Sequence, residues 1–325
     1  MSTGGTRELT PAQMGVAWAQ GTSPVLGTLV RRVSSEWPML RAGITAMQQA
    51  RRRWISVGDS APLSVELHHN PARLASVVAA PTPDAWCPLC LSNLPQEEKG
   101  VAVRELLVAL PNPTPIIRDH VVFAHRQHVA QRLRPALPDL AWLLAAADED
   151  TVFLYNGPTS GASSPYHLHL QAGRAGDLPL TAQASSLVPV SQRLTPWGTA
   201  AAVEGGARRF LRLTADDPSL IPPMIEWTLD LLMADGEFPM NLVMWRECGF
   251  VAALFPRSKH RPSCYSLGED RRIVISPGSV EMAGLVVLPR PMDWERMDPE
   301  TLARIYREVC LNDPAWDELL ARLCR

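Results

Sequence analysis

The sequence predicts an α+β protein, because antiparallel-style strand segments mix with few helices and turn residues break them into short pieces. Its 325 residues include 30 prolines and 20 glycines, which implies much loop and many interrupted strands. With 46% hydrophobic and 20% charged residues, the chain can bury a sizeable core as one large or two modest domains.

A helix is read in "EWPMLRAGITAMQQARRRW", where Leu40, Ile44 and Met47 recur at helical intervals and the basic end complements the helix dipole. "LSVELHH" and "RLASVVA" read as strands parted by the turn-like "NPA". A loop with a cysteine pair, "PTPDAWCPLCLSNLPQEEKG", comes next. Strands follow around 105–110 and 120–123, a helix over 138–147, and strands at 151–155 and 167–172. The proline- and small-residue-rich stretch 178–206 reads as a connection. Beyond it, "PPMIEWTLDLLMAD" opens on proline with a helical apolar pattern. "MNLVMW", "FVAALFP", "RRIVIS" and "GLVVLP" read as short strands, and helices over 299–310 and 314–323 close the chain. One internal echo links "FAHRQH" to "FPRSKH", each with Phe followed five places later by His.

A formal net charge of −2 gives no electrostatic case for nucleic acid or a membrane as partner. The N-terminus lacks a charged-then-apolar signal pattern and no apolar run approaches the roughly 18 residues that span a bilayer, so a cytoplasmic protein is the expectation. The six cysteines are scattered apart from Cys87 and Cys90, which is no disulfide framework.

The chemistry concentrates in "NGPTSGASSPYHLHLQAG" (156–173). Side chains alternate along a strand, so His167, His169 and Gln171 share one face while Leu168 and Leu170 take the other. An exposed polar strand face is the plainer account. What precedes the strand argues for more: Gly157 and Gly161 let backbone amides approach a ligand, and Ser160, Ser163 and Ser164 add hydroxyls that suit phosphate oxygens. A neutral imidazole beside such a loop is a nucleophile for phosphorus and leaves readily from a phosphoramidate once protonated.

These residues resemble the His-x-His-x-Gln signature of the histidine triad superfamily's transferase branch, which includes galactose-1-phosphate uridylyltransferase, diadenosine tetraphosphate phosphorylase and GDP-hexose phosphorylases. Asn156, Ser164, His167, His169 and Gln171 match the uridylyltransferase spacing without a gap. "NPAR", "CPLCLSNLPQEE", "FPRSKHRP" and "SPGSVEMAGLVVLPR" are similar to a bacterial group of the same superfamily, so the resemblance covers about 70–290. It implies two histidine triad-like halves of antiparallel sheets with flanking helices, the second half catalytically degenerate because no second His-x-His-x-Gln follows. It makes His169 the nucleophile and Gln171 a phosphate ligand. Asn156, with Ser164 or its competitor Ser163, would hold the phosphate, beside Gly161. On this reading 1–60 form a helical extension, 61–180 the catalytic half, 181–206 a connection, and 207–325 the second half with the closing helices.

The two-residue gap of Cys87 and Cys90 lets both thiolates reach one tetrahedral zinc, with histidines to complete the site. The resemblance supplies His128 and His167 as those ligands to a structural zinc. His125 is the main rival to His128 and His120 a remoter one. Arg73 offers a planar fork for phosphate, and the basic knot Arg257, Lys259 and His260 suits the other half of a substrate. The expected activity is nucleotidyl transfer from a nucleoside diphosphate sugar or dinucleoside polyphosphate to phosphate or a sugar phosphate, by a monomer or homodimer. Hydrolysis of nucleotidyl conjugates and a non-catalytic nucleotide-binding scaffold are the alternatives.

Overall fold

Strand β8 (His169–Arg174) shows why the fold forms as it does: Leu170 and Ala172 enter one core, and His169 and Gln171 turn to the opposite face. In the computed structural model, residues 7–78, 86–232 and 238–325 are described. The other strands are β1 (Glu8–Leu9), β2 (Arg51–Val57), β3 (Leu63–His69), β4 (Gly100–Val103), β5 (Leu107–Pro111), β6 (Val121–His125) and β7 (Thr151–Asn156). After β8 come β9 (Pro189–Thr195), β10 (Gly198–Gly205), β11 (Arg208–Ala215), β12 (Met240–Arg246), β13 (Phe250–Pro256) and β14 (Leu285–Leu288).

Eleven strands form one sheet in the order β1-β4-β5-β6-β8-β7-β12-β13-β11-β10-β9, antiparallel except where β1 joins β4. The order β4-β5-β6-β8-β7 is repeated by β9-β10-β11-β13-β12, and the two sets meet where β7 pairs with β12. In each set a helix lies between the third and fourth strands in sequence, Leu137–Ala145 in the first and Ile221–Leu231 in the second. Thus β13 is the topological counterpart of β8, and it carries Phe, Val, Ala, Leu and Pro but no histidine.

One face of the sheet is covered by helices Thr22–Glu36, Pro38–Gln48, Leu137–Ala145, Ile221–Leu231 and Asp313–Leu323, around Leu29, Phe123, Tyr155, Leu211 and Trp316. The other face is covered in its second half by a smaller sheet, β14-β3-β2, and by helices Ser279–Met282 and Pro299–Val309. In the first half that face carries Val152 and Leu154 of β7 beside the seam and, on β5 and β6, the small cluster Leu94, Val108, Leu110, Val122 and Ala124, on which Leu89 and Leu91 of the cysteine loop pack. Among the described residues no helix is long and apolar enough to cross a membrane.

Several elements differ from the sequence reading. "RLASVVA" supplies the helix Leu74–Val78, because Asn70 caps the turn before it through Ala72 N–H. The helix that begins at Pro38 stops at Gln48, and "RRRW" opens β2, where Arg51 and Arg53 instead lie over the Trp294 ring. "RRIVIS" forms no strand: it leaves a turn in which Arg271 and Arg272 N–H donate to the Gly268 carbonyl, and Ile275 N–H donates to the Ile273 carbonyl. The stretch 178–206 holds two full strands, β9 and β10, and β11 follows at once through a turn in which Gly206 and Ala207 take positive φ. The Phe/His echo joins the ends of β6 and β13, which are not counterparts in the repeat, so it marks no duplication.

Gly43 in helix Pro38–Gln48 tests how closely that helix sits on the 113–115 loop. A Cβ there would overlap the Pro113 carbonyl oxygen and lie 3.0 Å from Pro115 Cδ. Helix propensity alone predicts that Gly43→Ala stabilises by up to about 1 kcal/mol. The packing predicts the opposite sign, a loss of about 1–3 kcal/mol measured by thermal or urea unfolding.

Candidate active site

The ladder between β7 and β8 ends at Leu154 and Gln171, so Asn156 and His169 lie just past its last rung. The buried amide of Gln131 fills the gap. It donates to the Asn156 and His169 carbonyls at 2.9 and 3.1 Å and accepts from His169 N–H at 2.7 Å. Its three bonds fix the main chain that carries the candidate nucleophile.

His169 is 3% exposed, and its Nδ1 lies 2.8 Å from the His167 carbonyl oxygen. A carbonyl only accepts, so Nδ1 carries the proton and Nε2 the lone pair. Nε2 makes no hydrogen bond among the described residues. Burial pushes the imidazole down to about 4, which keeps it neutral.

Gln171 is held from the other side. His120 Nδ1 accepts from Ile116 N–H at 3.2 Å, so its Nε2 bears the proton and donates to Gln171 Oε1 at 2.8 Å. With its oxygen engaged, Gln171 has both amide hydrogens to offer. Burial first, with a contribution from the Arg73 charge, pushes His120 down to about 4, while the bond to Gln171 opposes the shift. Arg73 itself donates to the Thr114 carbonyl and hydroxyl. His120, Asn112 and Arg118 line a cavity of about 440 Å³ together with the apolar Val30, Leu40 and Ile44.

The loop after β7 folds against the chain's second half. Gly161 has φ +95°, and a Cβ on it would lie 2.9 Å from Gly278 Cα. Gly157 N–H donates to the Met240 carbonyl at 3.0 Å. Asn156 Oδ1 accepts from Asn241 Nδ2 and from Ser279 N–H, both at 2.7 Å. Ser164 is buried and Ser163 exposed, whereas the hydroxyls of Ser160 and Ser279 are fully buried and unpaired among the described residues.

The basic knot does not converge on this site. Arg257 is 1% exposed and its five N–H donors all go inward, to Val309, Asn241, Pro277, Lys259 and His260. It is a strut rather than a free cation for substrate, because no donor is left over. Lys259 is on the surface and pairs with Glu308 at 2.8 Å. His260 is half-buried and held down to about 4 by desolvation, then by Arg261 and Arg257.

The cysteine pair meets two histidines. Donor atoms of Cys87, Cys90, His128 and His167 lie within 4.8 Å of one another, a group able to hold a metal ion. Cys87 Sγ is 3.2 Å from His167 Nδ1, and Cys90 Sγ is 3.3 Å from His128 Nδ1. His167 Nε2–H donates to the His125 carbonyl at 2.6 Å, which turns Nδ1 to the thiols. His125 therefore contributes its backbone, while its own ring Nδ1 stays with Gln127. His120 lies outside the cluster.

Residues 29–174, which span this site's first half, match the family described as "Domain of unknown function (DUF4922)". No curated protein matches the sequence. Among solved structures, yeast Ap4A phosphorylase Apa2 in complex with AMP aligns over 87% of this chain and 96% of its own, at 15% identity and TM-score 0.57. The same enzyme with Ap4A aligns over 84% and 96% at 14% identity and TM-score 0.58. The chain has the histidine triad fold of that phosphorylase. Its two repeated strand sets are the two halves of this fold, and only the first carries the histidine signature. An Arabidopsis thaliana ADP-glucose phosphorylase aligns over 76% and 96% at 14% identity, with TM-score 0.35, too low to bear on the fold.

Sequence reasoning missed Gln131, Asn241 and Ser279, and named His120 only as a remote metal candidate. His120 also makes a pH prediction. A histidine held at about 4 when folded and near its ordinary 6.5 when unfolded favours the fold above pH 6.5, and that contribution is lost as pH falls toward 4. His120→Asn, which cannot titrate, should flatten the fall in unfolding free energy between pH 6.5 and 4; an unchanged slope contradicts the assignment.

Proposed function

We propose that the protein is a nucleotidyltransferase of phosphorylase type that works through a nucleotidyl-histidine on His169. The observation that carries this is the Nδ1–H bond to the His167 carbonyl, which leaves the Nε2 lone pair as the ring's free end beside a glycine- and serine-rich loop. The fold shared with a phosphorylase crystallised with AMP and with Ap4A supports the same reading.

In the first step Nε2 forms a bond to the α-phosphorus of a nucleoside diphosphate compound, and the bond from that phosphorus to the leaving phosphate oxygen breaks. The ring becomes cationic, and its Nδ1–H bond to the carbonyl disperses that charge. In the second step an oxygen of phosphate or a sugar phosphate attacks, the P–N bond breaks, and neutral His169 returns. Gln171 and Asn156 donate amide hydrogens to the phosphoryl oxygens, with Ser164 beside them. The cavity beyond His120 is of a size for a nucleoside. Its apolar lining suits a base, and its polar lining suits ribose hydroxyls. Within this reading 61–180 form the catalytic half and 207–325 the supporting one.

Zinc fits the Cys87, Cys90, His128 and His167 group. Ligand atoms around tetrahedral zinc lie about 3.3–3.8 Å apart; three of the four sulfur–nitrogen pairs here lie at 3.2 to 3.6 Å, and all the donor atoms lie within 4.8 Å of one another. Burial, and then the neighbouring Cys87, push the Cys90 thiol up, a cost that a bound cation removes. When bound, zinc supplies a closed structural anchor for the segment that leads into β8.

Two experiments test this. Incubation with ADP-glucose, UDP-glucose and Ap4A should add the mass of one nucleotidyl group, a nucleoside monophosphate less water, to the intact protein, and phosphate should discharge it faster than water does. His169→Ala should abolish the adduct and lower turnover by on the order of 10⁴-fold; an adduct that persists removes His169 from the role. Protein purified without chelator should hold about one zinc per chain, and Cys90→Ser should lose it together with several kcal/mol of stability, on the order of that seen for structural zinc. A zinc content unchanged by that substitution contradicts the site.

A further inference from the structure

We propose that Asn241, held in place by Arg257, is a positioning residue that turns the Asn156 amide toward the phosphoryl group. The inference rests on the nucleotidyl transfer proposed above and says which part of the second half serves it. Asn156 Oδ1 has two donors on it, Asn241 Nδ2 and Ser279 N–H. Rotating the amide by 180° would set its own NH₂ against both donors, so the orientation is fixed. The Nδ2 hydrogens then point the other way, and they make no hydrogen bond among the described residues. Asn156 is 8% exposed, and its Nδ2 is not among the fully buried unpaired atoms, so this free donor is open to an acceptor that arrives with ligand.

Asn241 is fully buried and its own amide is equally determined. Its two Nδ2 hydrogens go to Asn156 Oδ1 and, at 2.6 Å, to the Ser160 carbonyl, so it grips the phosphate loop at both ends. Its Oδ1 accepts from Arg257 Nη1. The same Nη1 donates to the Pro277 carbonyl at 2.8 Å and thereby pins the backbone that delivers Ser279 N–H. One guanidinium thus sets both donors on Asn156. Gly278 allows the approach: a Cβ there would sit 3.2–3.5 Å from the Asn156 amide.

The test is a double-mutant cycle on the single-turnover rate of adduct formation. Asn241→Asp keeps the side chain's shape but faces Asn156 Oδ1 with oxygens only. It should slow the rate by about 10²-fold, as loss of one phosphate-directed donor does. In an Asn156→Ala background it should cost no further rate, because residues that act through one another are not additive. Effects that multiply, or no slowing in the single variant, overturn the inference. Should Asn241→Asp fail to fold, Gly278→Ala, which removes no hydrogen bond, must show the same dependence on Asn156. If the wild type forms no adduct with any nucleotide, the functional reading fails, and positioning is judged by NMR of protein carrying ¹⁵N-asparagine. The Asn156 side-chain signal, assigned by its loss in Asn156→Ala, should shift on adding AMP to the wild type and not to Asn241→Asp. Equal shifts in both, or none in the wild type, overturn the inference.

Discussion

The antiparallel pairing of β7 with β12 is the contact on which the rest of the architecture depends. It fuses two five-strand sets of the same order into one continuous sheet and fixes Asn156 opposite Asn241. The glycine- and serine-rich loop leaves β7 at this seam, so Asn156 at its start is framed by side chains and backbone from the second half. That half keeps the fold without the histidines. Its β13 ends at Pro256, next to Arg257, whose five internal bonds tie the seam to the 277–279 turn and to the end of helix Pro299–Val309.

Three histidines near the seam show how a backbone assigns different work to identical side chains. His167 gives its Nε2 proton to the His125 carbonyl and turns Nδ1 to the cysteines. His169 gives its Nδ1 proton to the His167 carbonyl and turns Nε2 outward. His120 accepts Ile116 N–H at Nδ1 and gives its Nε2 proton to Gln171. In each case a main-chain group chooses the tautomer, so the proposed roles of metal ligand, nucleophile and amide-orienting donor are separated by backbone contacts. Burial keeps His120 and His169 uncharged, which suits a nucleophile and an amide-orienting donor alike.

What the sequence made legible was local. Alternation along 167–172 placed His169 and Gln171 on one face, and the Cys-x-x-Cys gap with its abundance of nearby histidines marked a group able to hold a metal. Chain-distant partners were not legible: Gln131 closes a gap between strands, and Asn241 meets Asn156 only through sheet register. Arg257 looked like a free cation because its five acceptors, four of them backbone carbonyls, carry no signature in residue type. The helix Leu74–Val78 read as a strand because five residues, apolar except for Ser76, are too few to tell one period from the other. The stretch 178–206 hid β9 and β10 because small residues and prolines mask the alternation of strands at the sheet's far edge.

The central claim is that phosphorus bonds to one particular nitrogen. Protein mixed with a nucleotide substrate, quenched in alkali to preserve the P–N bond, then digested and sequenced by tandem mass spectrometry, reports that position directly. The account predicts the nucleotidyl group on His169 and none on His167, whose nitrogens face the cysteines and a carbonyl. A label on His167, or on any side chain outside 156–171, would contradict it.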